Sequence, residues 1–234
     1  MAVLLVLGSK PDARLPPPGS YAAVACANAS GRSARTSGLP DPVLTVMSSV
    51  LASAKNPASR LALKALAGLS TETLYYCPRQ LYRRDPLKRL LHLPEILACA
   101  PRPFTRRRLG AAGFRFETLI VRPLKCYIRM VEMLCGSDPE IGRELAAKHP
   151  STGVLAAAIG LGEAGFEQVI LSGFSFEITH AYADNPLIAR RGTTMSRHAD
   201  TDVAVLRSIS ARTGNLLTTE PVVHERTGIP LFGR

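Results

Sequence analysis

Short, continuously apolar runs separated by clusters of Gly, Pro, Asn and Ser recur along the chain. Residues 2–7 (AVLLVL), 21–26 (YAAVAC), 42–47 (PVLTVM), 73–77 (TLYYC), 116–121 (FETLIV) and 168–172 (QVILS) read as strands. Between them, residues 57–69, 124–134, 138–149 and 151–164 carry helical spacing or helix-start signals. Asp138-Pro139 with Glu140 in the first turn is one such start, and Ser151-Thr152 ahead of an Ala/Leu run is another. Strands that are apolar throughout, rather than at every second residue, are buried on both faces, which predicts a parallel sheet covered by helices. The expected fold is therefore α/β: a single Rossmann-like, doubly wound parallel sheet spanning 1–234. Residues 178–196 show no periodicity, and loops of that length in compact domains usually carry function; a lid is expected over about 178–197.

Composition narrows the class. The 234 residues are 46% hydrophobic, enough for a full globular core. No run of about 18 apolar residues occurs. The start, Met1 to Leu7, lacks a basic leader and passes at once into Gly8-Ser9-Lys10-Pro11, so a cytoplasmic protein is expected. Five cysteines, an odd number without a C-x-x-C pair, favour reduced and mostly buried thiols over disulfides or zinc.

Charge is unevenly spread. The net charge is +11, and residues 79–125 hold twelve Lys or Arg against Asp85, Glu95 and Glu117, a net +9. Within the basic helical segment expected over about 78–113, "LYRRDPLKRLLHLPEIL" interleaves leucines with cations. That pattern suits an amphipathic helix on an anionic membrane surface better than a phosphate-tracking groove, which needs stacking aromatics. A solvated helix face is the plainer reading.

In an open α/β sheet, ligands bind beyond the carboxyl ends of the strands. There the sequence places Gly8-Ser9, then Asn28-Ala-Ser30-Gly31, and then "HPSTG" (149–153) ahead of a helix. One Ser or Thr suffices to cap a helix, so the remaining polar and glycine residues point to an anion held at the helix amides. Neither G-x-G-x-x-G nor the P-loop pattern is present.

With these residues in place, a family resemblance emerges. "HPSTGVLAAAIGLGEAGFEQVILSGF" resembles the small motif of sialyltransferases, a Pro-Ser-Thr-Gly cap, an apolar helix and a strand ending in Gly-Phe. "LVLGSKPDARLPPPGSYAAVACANASG" is similar to their nucleotide-binding half, and "THAYADN" with "SRHADTDVAVLRSI" resembles the lid and His-led helix of bacterial family 42 enzymes, and more loosely the His motifs of animal-type family 29. Residues 50–125 take no part in the likeness. It implies a sialyltransferase-like GT-A variant and an inverting, metal-independent transfer of sialic acid or Kdo from a CMP-activated donor to a glycan or glycolipid hydroxyl, with no further cofactor and no nucleic-acid partner.

Site residues follow from the resemblance. His198 matches the base, Tyr182 a lid tyrosine on the CMP phosphate, and His149 stands where bacterial relatives carry an Arg, which implies a catalytic contact with the donor's carboxylate or phosphate. The donor-contacting set is Gly8, Ser9, Asn28, Ser151, Thr152, Gly153, Gly173 and His180, with Ser48 in place of an expected Asn. No metal site is expected, because Asp200-Thr-Asp202 reads as a helix opening. Each histidine also has a plainer reading: His198 as an exposed first-turn residue, His149 as a helix C-terminal residue, His180 and Tyr182 as lid residues without a ligand. Two other functions stay open, a nucleotide-binding α/β enzyme of different chemistry and a basic nucleic-acid-binding protein.

Overall fold

A computed structural model of the chain describes residues 1–10, 12–53, 57–78, 102–179 and 194–233. Among them, seven strands form one sheet: β1 (Val3–Leu7), β2 (Ala23–Ala27), β3 (Leu44–Ser48), β4 (Ser70–Cys77), β5 (Arg115–Val121), β6 (Gln168–Ser172) and β7 (Leu216–Thr218). Every pairing is parallel and the order is β5-β4-β3-β2-β1-β6-β7. The six strands expected from apolar runs are all present, each within a few residues of its expected bounds.

Alternate side chains of each inner strand feed two cores, which is why the runs are apolar throughout. In β1, Leu4 and Val6 enter one core while Leu5 and Leu7 enter the other. Helices α1 (Gly31–Thr36), α2 (Ser49–Ser53), α3 (Pro57–Ala65) and α4 (Arg102–Ala111) cover one face, through Ala34, Leu51, Ala62 and Leu109. Helices α5 (Leu124–Leu134), α6 (Pro139–Ala147), α7 (Thr152–Gly162), α8 (Ala199–Thr213) and α9 (Pro221–Thr227) contribute to the core on the other. The doubly wound α/β arrangement is thus the observed fold.

Helix α7 is the centre of that second layer. It is buried from Gly153 to Gly160 and packs on β1, β2, β3 and β6. Its small residues set the approach: a Cβ on Gly160 would lie 2.5 Å from Leu4 Cδ2. A helix apolar on every side is a core helix, as its sequence indicates.

The chain runs outward from β1 to β5, then crosses to place β6 on the other side of β1, so the topological switch lies between β1 and β6. The two strands leave the sheet in contact there. The Gly8 amide donates to Ser172 O at 2.8 Å, the Lys10 amide to Gly173 O at 2.8 Å, and a Cβ on Gly8 would collide with the Gly173 carbonyl. Glycine at position 8 is therefore a requirement of strand packing.

A fully buried carboxylate, Glu220, locks the same corner. It accepts from Lys10 Nζ at 2.6 Å and from the amides of Arg14 and Gly173, each at 3.0 Å. Two backbone donors and one cation satisfy the charge that burial would otherwise penalise.

Candidate active site

A cavity of about 700 Å³ opens at the carboxyl ends of the strands, across the switch between β1 and β6. Gly8, Ser9, Asn28, His149, Ser151, Thr152, Gly153, Gly173 and His198 all line it, as does Ser48. Six separate stretches of sequence therefore converge on one space. His180 and Tyr182 fall outside the described residues, as do Cys99 and residues 79–101 of the basic segment. Of the expected lid, residues 178–179 and 194–197 are described, and its two ends meet, through a bridge between Glu177 and Met195 and the Ile178 amide donating to Thr194 O at 2.6 Å.

Asn28 ties three elements together at the cavity floor. Its backbone is left-handed, φ 55°, a conformation that asparagine tolerates better than most side chains. From there Nδ2 donates to Thr152 Oγ1 at 2.7 Å, and Oδ1 accepts from the Ser48 amide at 3.1 Å. The first turn of α7 is thereby fixed to the ends of β2 and β3. Because Thr152 Oγ1 accepts from Asn28, its own hydroxyl proton remains to be donated.

The start of α7 divides its duties. Ser151 is the cap, its Oγ accepting from the Val154 amide at 3.4 Å. Gly153 has a packing reason to be glycine, since a Cβ there would sit 2.8 Å from Phe174 Cε1. The ring of Phe174, just past β6, lies against the helix where an anion was expected to approach.

His198 is held by two bonds that define its protonation. Nδ1 lies 2.8 Å from His149 O, which can only accept, and Nε2 lies 3.1 Å from Arg197 Nε, which can only donate. The imidazole is accordingly the neutral Nδ1–H tautomer. Burial lowers its pKa to about 4, with the cations of Arg197 and Lys148 adding to the effect, so the ring stays neutral at pH 7. His149 lies beside it with ring centroids 4.9 Å apart, and its own Nδ1 bonds Pro150 O at 2.9 Å. His149 thus enters the site through its carbonyl as well as its ring.

Two further residues of the site escaped the sequence reading. Arg197, exposed at the cavity wall, donates to the histidine. Asp202, 5% exposed, accepts from the Ser151 amide at 2.7 Å, and its own amide donates to His198 O at 2.8 Å. Burial raises the Asp202 carboxyl to about 7. Asp202 stands in the first turn of α8, where it was expected to cap its own helix, yet its side chain serves the start of α7. The signal for Arg197 was its place directly before the candidate base.

Among the described residues no cluster of three His, Cys, Asp or Glu side chains is placed to hold a metal ion. Cys26, Cys77 and Cys135 are buried free thiols, whereas Cys126 is exposed. No described helix is long and apolar enough to cross a membrane.

No protein-family model matches the sequence, and no curated protein matches it. Solved structures do match. The Campylobacter jejuni sialyltransferase CstII, in complex with the substrate analogue CMP-3FNeuAc, superposes with a TM-score of 0.55 at 12% identity, over 99% of this chain and 86% of that one. The monofunctional α-2,3-sialyltransferase Cst-I of the same organism gives 0.54 at 13% identity, over 99% and 80%. The chain has the sialyltransferase-like fold. At such identity the likeness concerns architecture, and function must be argued from the site itself.

Proposed function

We propose that the protein is an inverting glycosyltransferase that moves a sialic acid or Kdo from its CMP-activated donor to a glycan or glycolipid hydroxyl, with His198 as base. The observation that carries this reading is the neutral Nδ1–H tautomer of His198 on the wall of a cavity floored by Asn28 and the start of α7. An imidazole whose Nδ1–H is fixed to a carbonyl offers Nε2 as its only proton acceptor. In the proposed step Nε2 takes the acceptor's hydroxyl proton, and that oxygen attacks the donor's anomeric carbon. The bond from this carbon to the phosphate oxygen breaks, and its electron pair leaves with CMP. A single displacement of this kind inverts the anomeric centre.

The remaining parts follow the same division. The Thr152 hydroxyl, whose proton is left to donate, faces the leaving phosphate, where a hydrogen-bond donor stabilises developing negative charge. Ser9 and Asn28 take the nucleotide side, and Tyr182 and His180 belong to the lid. Both neighbours named above are sialyltransferases, and CstII was captured with a CMP-sugar analogue; the proposal extends that donor class to this chain. A ligand that binds only the folded state raises its stability by mass action. Millimolar CMP should therefore raise the melting temperature where UMP, GMP and NAD do not, and equal or absent shifts would remove the reading.

The basic segment supports a second part of the proposal, docking on an anionic membrane surface. Among the described side chains of α4, Thr105 and Leu109 are buried, and Phe104, Arg107 and Arg108 are exposed. Cations beside an exposed aromatic ring suit an anionic bilayer interface. Co-sedimentation with anionic liposomes at low salt tests it, and salt-sensitive binding to RNA or DNA in its place would favour the nucleic-acid alternative.

A further inference from the structure

A guanidinium resting on a neutral imidazole is an unusual final partner. Arg197 Nε gives one hydrogen bond to His198 Nε2 at 3.1 Å, and Arg197 is exposed at the cavity wall. Guanidinium pairs best with carboxylate or phosphate, which it grips with two parallel bonds. Among the described residues lining the cavity, the other formally charged side chains are Glu177 and Asp202, both acids. Arg197 is the only arginine or lysine in that lining. Glu177 is exposed and accepts from Thr194 Oγ1 at 3.2 Å, and buried Asp202 is taken by the Ser151 amide. The same contact blocks chemistry, because the lone pair that Arg197 occupies is the one a base must use.

We propose that Arg197 is the anion-binding residue of this cavity: its guanidinium leaves His198 Nε2 for the phosphate or carboxylate of an incoming donor, and by leaving uncovers the imidazole lone pair. The inference rests on the donor chemistry proposed above. It couples two events in one side chain. Arrival of the anion draws away a cation that depresses the basicity of His198, and the anion's own charge favours an imidazole that can accept a proton. The base is masked while the site is empty and exposed when an anionic substrate is bound. Position 149, where the family resemblance predicted an arginine, holds a histidine, and the cation is instead supplied from the other side of His198.

Nitrogen-resolved NMR of His198 and of the Arg197 side chain, in the full chain, provides the test. In the free protein, Arg197→Gln should shift the His198 Nε2 resonance and raise its pKa. Saturating CMP should move the wild-type Nε2 resonance toward the position seen in free Arg197→Gln. Binding constants separate the anions. Arg197→Gln should weaken CMP by roughly tenfold or more, the usual scale for a lost charge-assisted hydrogen bond, and leave cytidine unchanged. If instead the loss appears only with an inert CMP-sugar analogue and not with CMP, the donor carboxylate is the partner. Arg197→Lys should restore part of the affinity, since it keeps the charge but not the fork. Equal affinity of wild type and Arg197→Gln for both CMP and the analogue would overturn the inference, as would an Nε2 resonance unmoved by bound CMP. If wild type binds no cytidine nucleotide, the donor reading fails instead, and inorganic phosphate becomes the probe: displacement of Arg197 from His198 by phosphate would still sustain an anion site, and no displacement would end it.

Discussion

Asp202 accepts the amide of Ser151 at 2.7 Å, so a buried carboxyl of the chain itself occupies the positive end of α7. Its pKa is raised to about 7 by burial, above the ordinary value of 3.8. A raised carboxyl favours the folded state while it stays protonated, and that advantage is lost as pH rises from about 4 through about 7. Asp202→Asn keeps an acceptor for Ser151 without the charge. The variant should be more stable than wild type at pH 8, by on the order of 1–3 kcal/mol, and equal to it near pH 4. Denaturant unfolding at the two pH values measures this.

His198 works in the opposite direction. Its pKa is depressed to about 4 from 6.5, so the stability it lends is complete above pH 6.5 and lost as pH falls through about 4. His198→Gln, which cannot protonate, should flatten the decline in unfolding free energy across that window. A decline of unchanged steepness would show that the histidine titrates normally.

Asn28 is expected to be hard to replace. Asn28→Gly keeps the left-handed backbone but gives up the bonds to Thr152 and Ser48, while Asn28→Ala also strains the φ of 55°. Stability should fall by about 1–2 kcal/mol for the first and by about 1 kcal/mol more for the second. Thermal unfolding would rank them, and nucleotide affinity should fall in both because the start of α7 loses its anchor.

Packing at the same helix end is tested by Gly153→Ala. The added methyl would lie 2.8 Å from Phe174 Cε1, so the ring must move, at a cost of about 1–3 kcal/mol. Trimming the ring in Gly153→Ala/Phe174→Leu should recover part of that loss. A double variant no better than the sum of its parts would deny the contact.

Glu220 should show the largest single loss. Replacing it by Ala leaves Lys10 and the amides of Arg14 and Gly173 without their acceptor. Removing one partner of a buried ion pair costs about 3–5 kcal/mol, which a urea titration would record as a lower midpoint with an unchanged slope.

The sheet was legible in the sequence because its inner strands are buried on both faces and read as unbroken apolar runs. The last strand, Leu216–Thr218, was not, since three residues are too few to carry a period, and α1, α2 and α9 are similarly short. Polar residues at strand ends were readable as candidate site residues from topology, His198 entered through the family resemblance, and Asn28, Thr152 and His198 line one cavity. What each one touches was hidden. Asp202 meets a residue 51 positions away, and Arg197, though it directly precedes the candidate base, bonds the far nitrogen of its ring, which adjacency in sequence does not indicate. Gly8 and Gly153 were visible as glycines, but the close approach of Gly173 and Phe174 that demands them is a tertiary fact.

The central claim is tested most directly by CMP release from CMP-N-acetylneuraminate and CMP-Kdo, followed with wild type and His198→Ala in the presence of glycan acceptors and EDTA. The account predicts acceptor-dependent release of CMP from one of these donors, unaffected by the chelator, with the His198→Ala rate lower by roughly a hundredfold or more. Release by His198→Ala at the wild-type rate, or none from either donor by wild type, would contradict it.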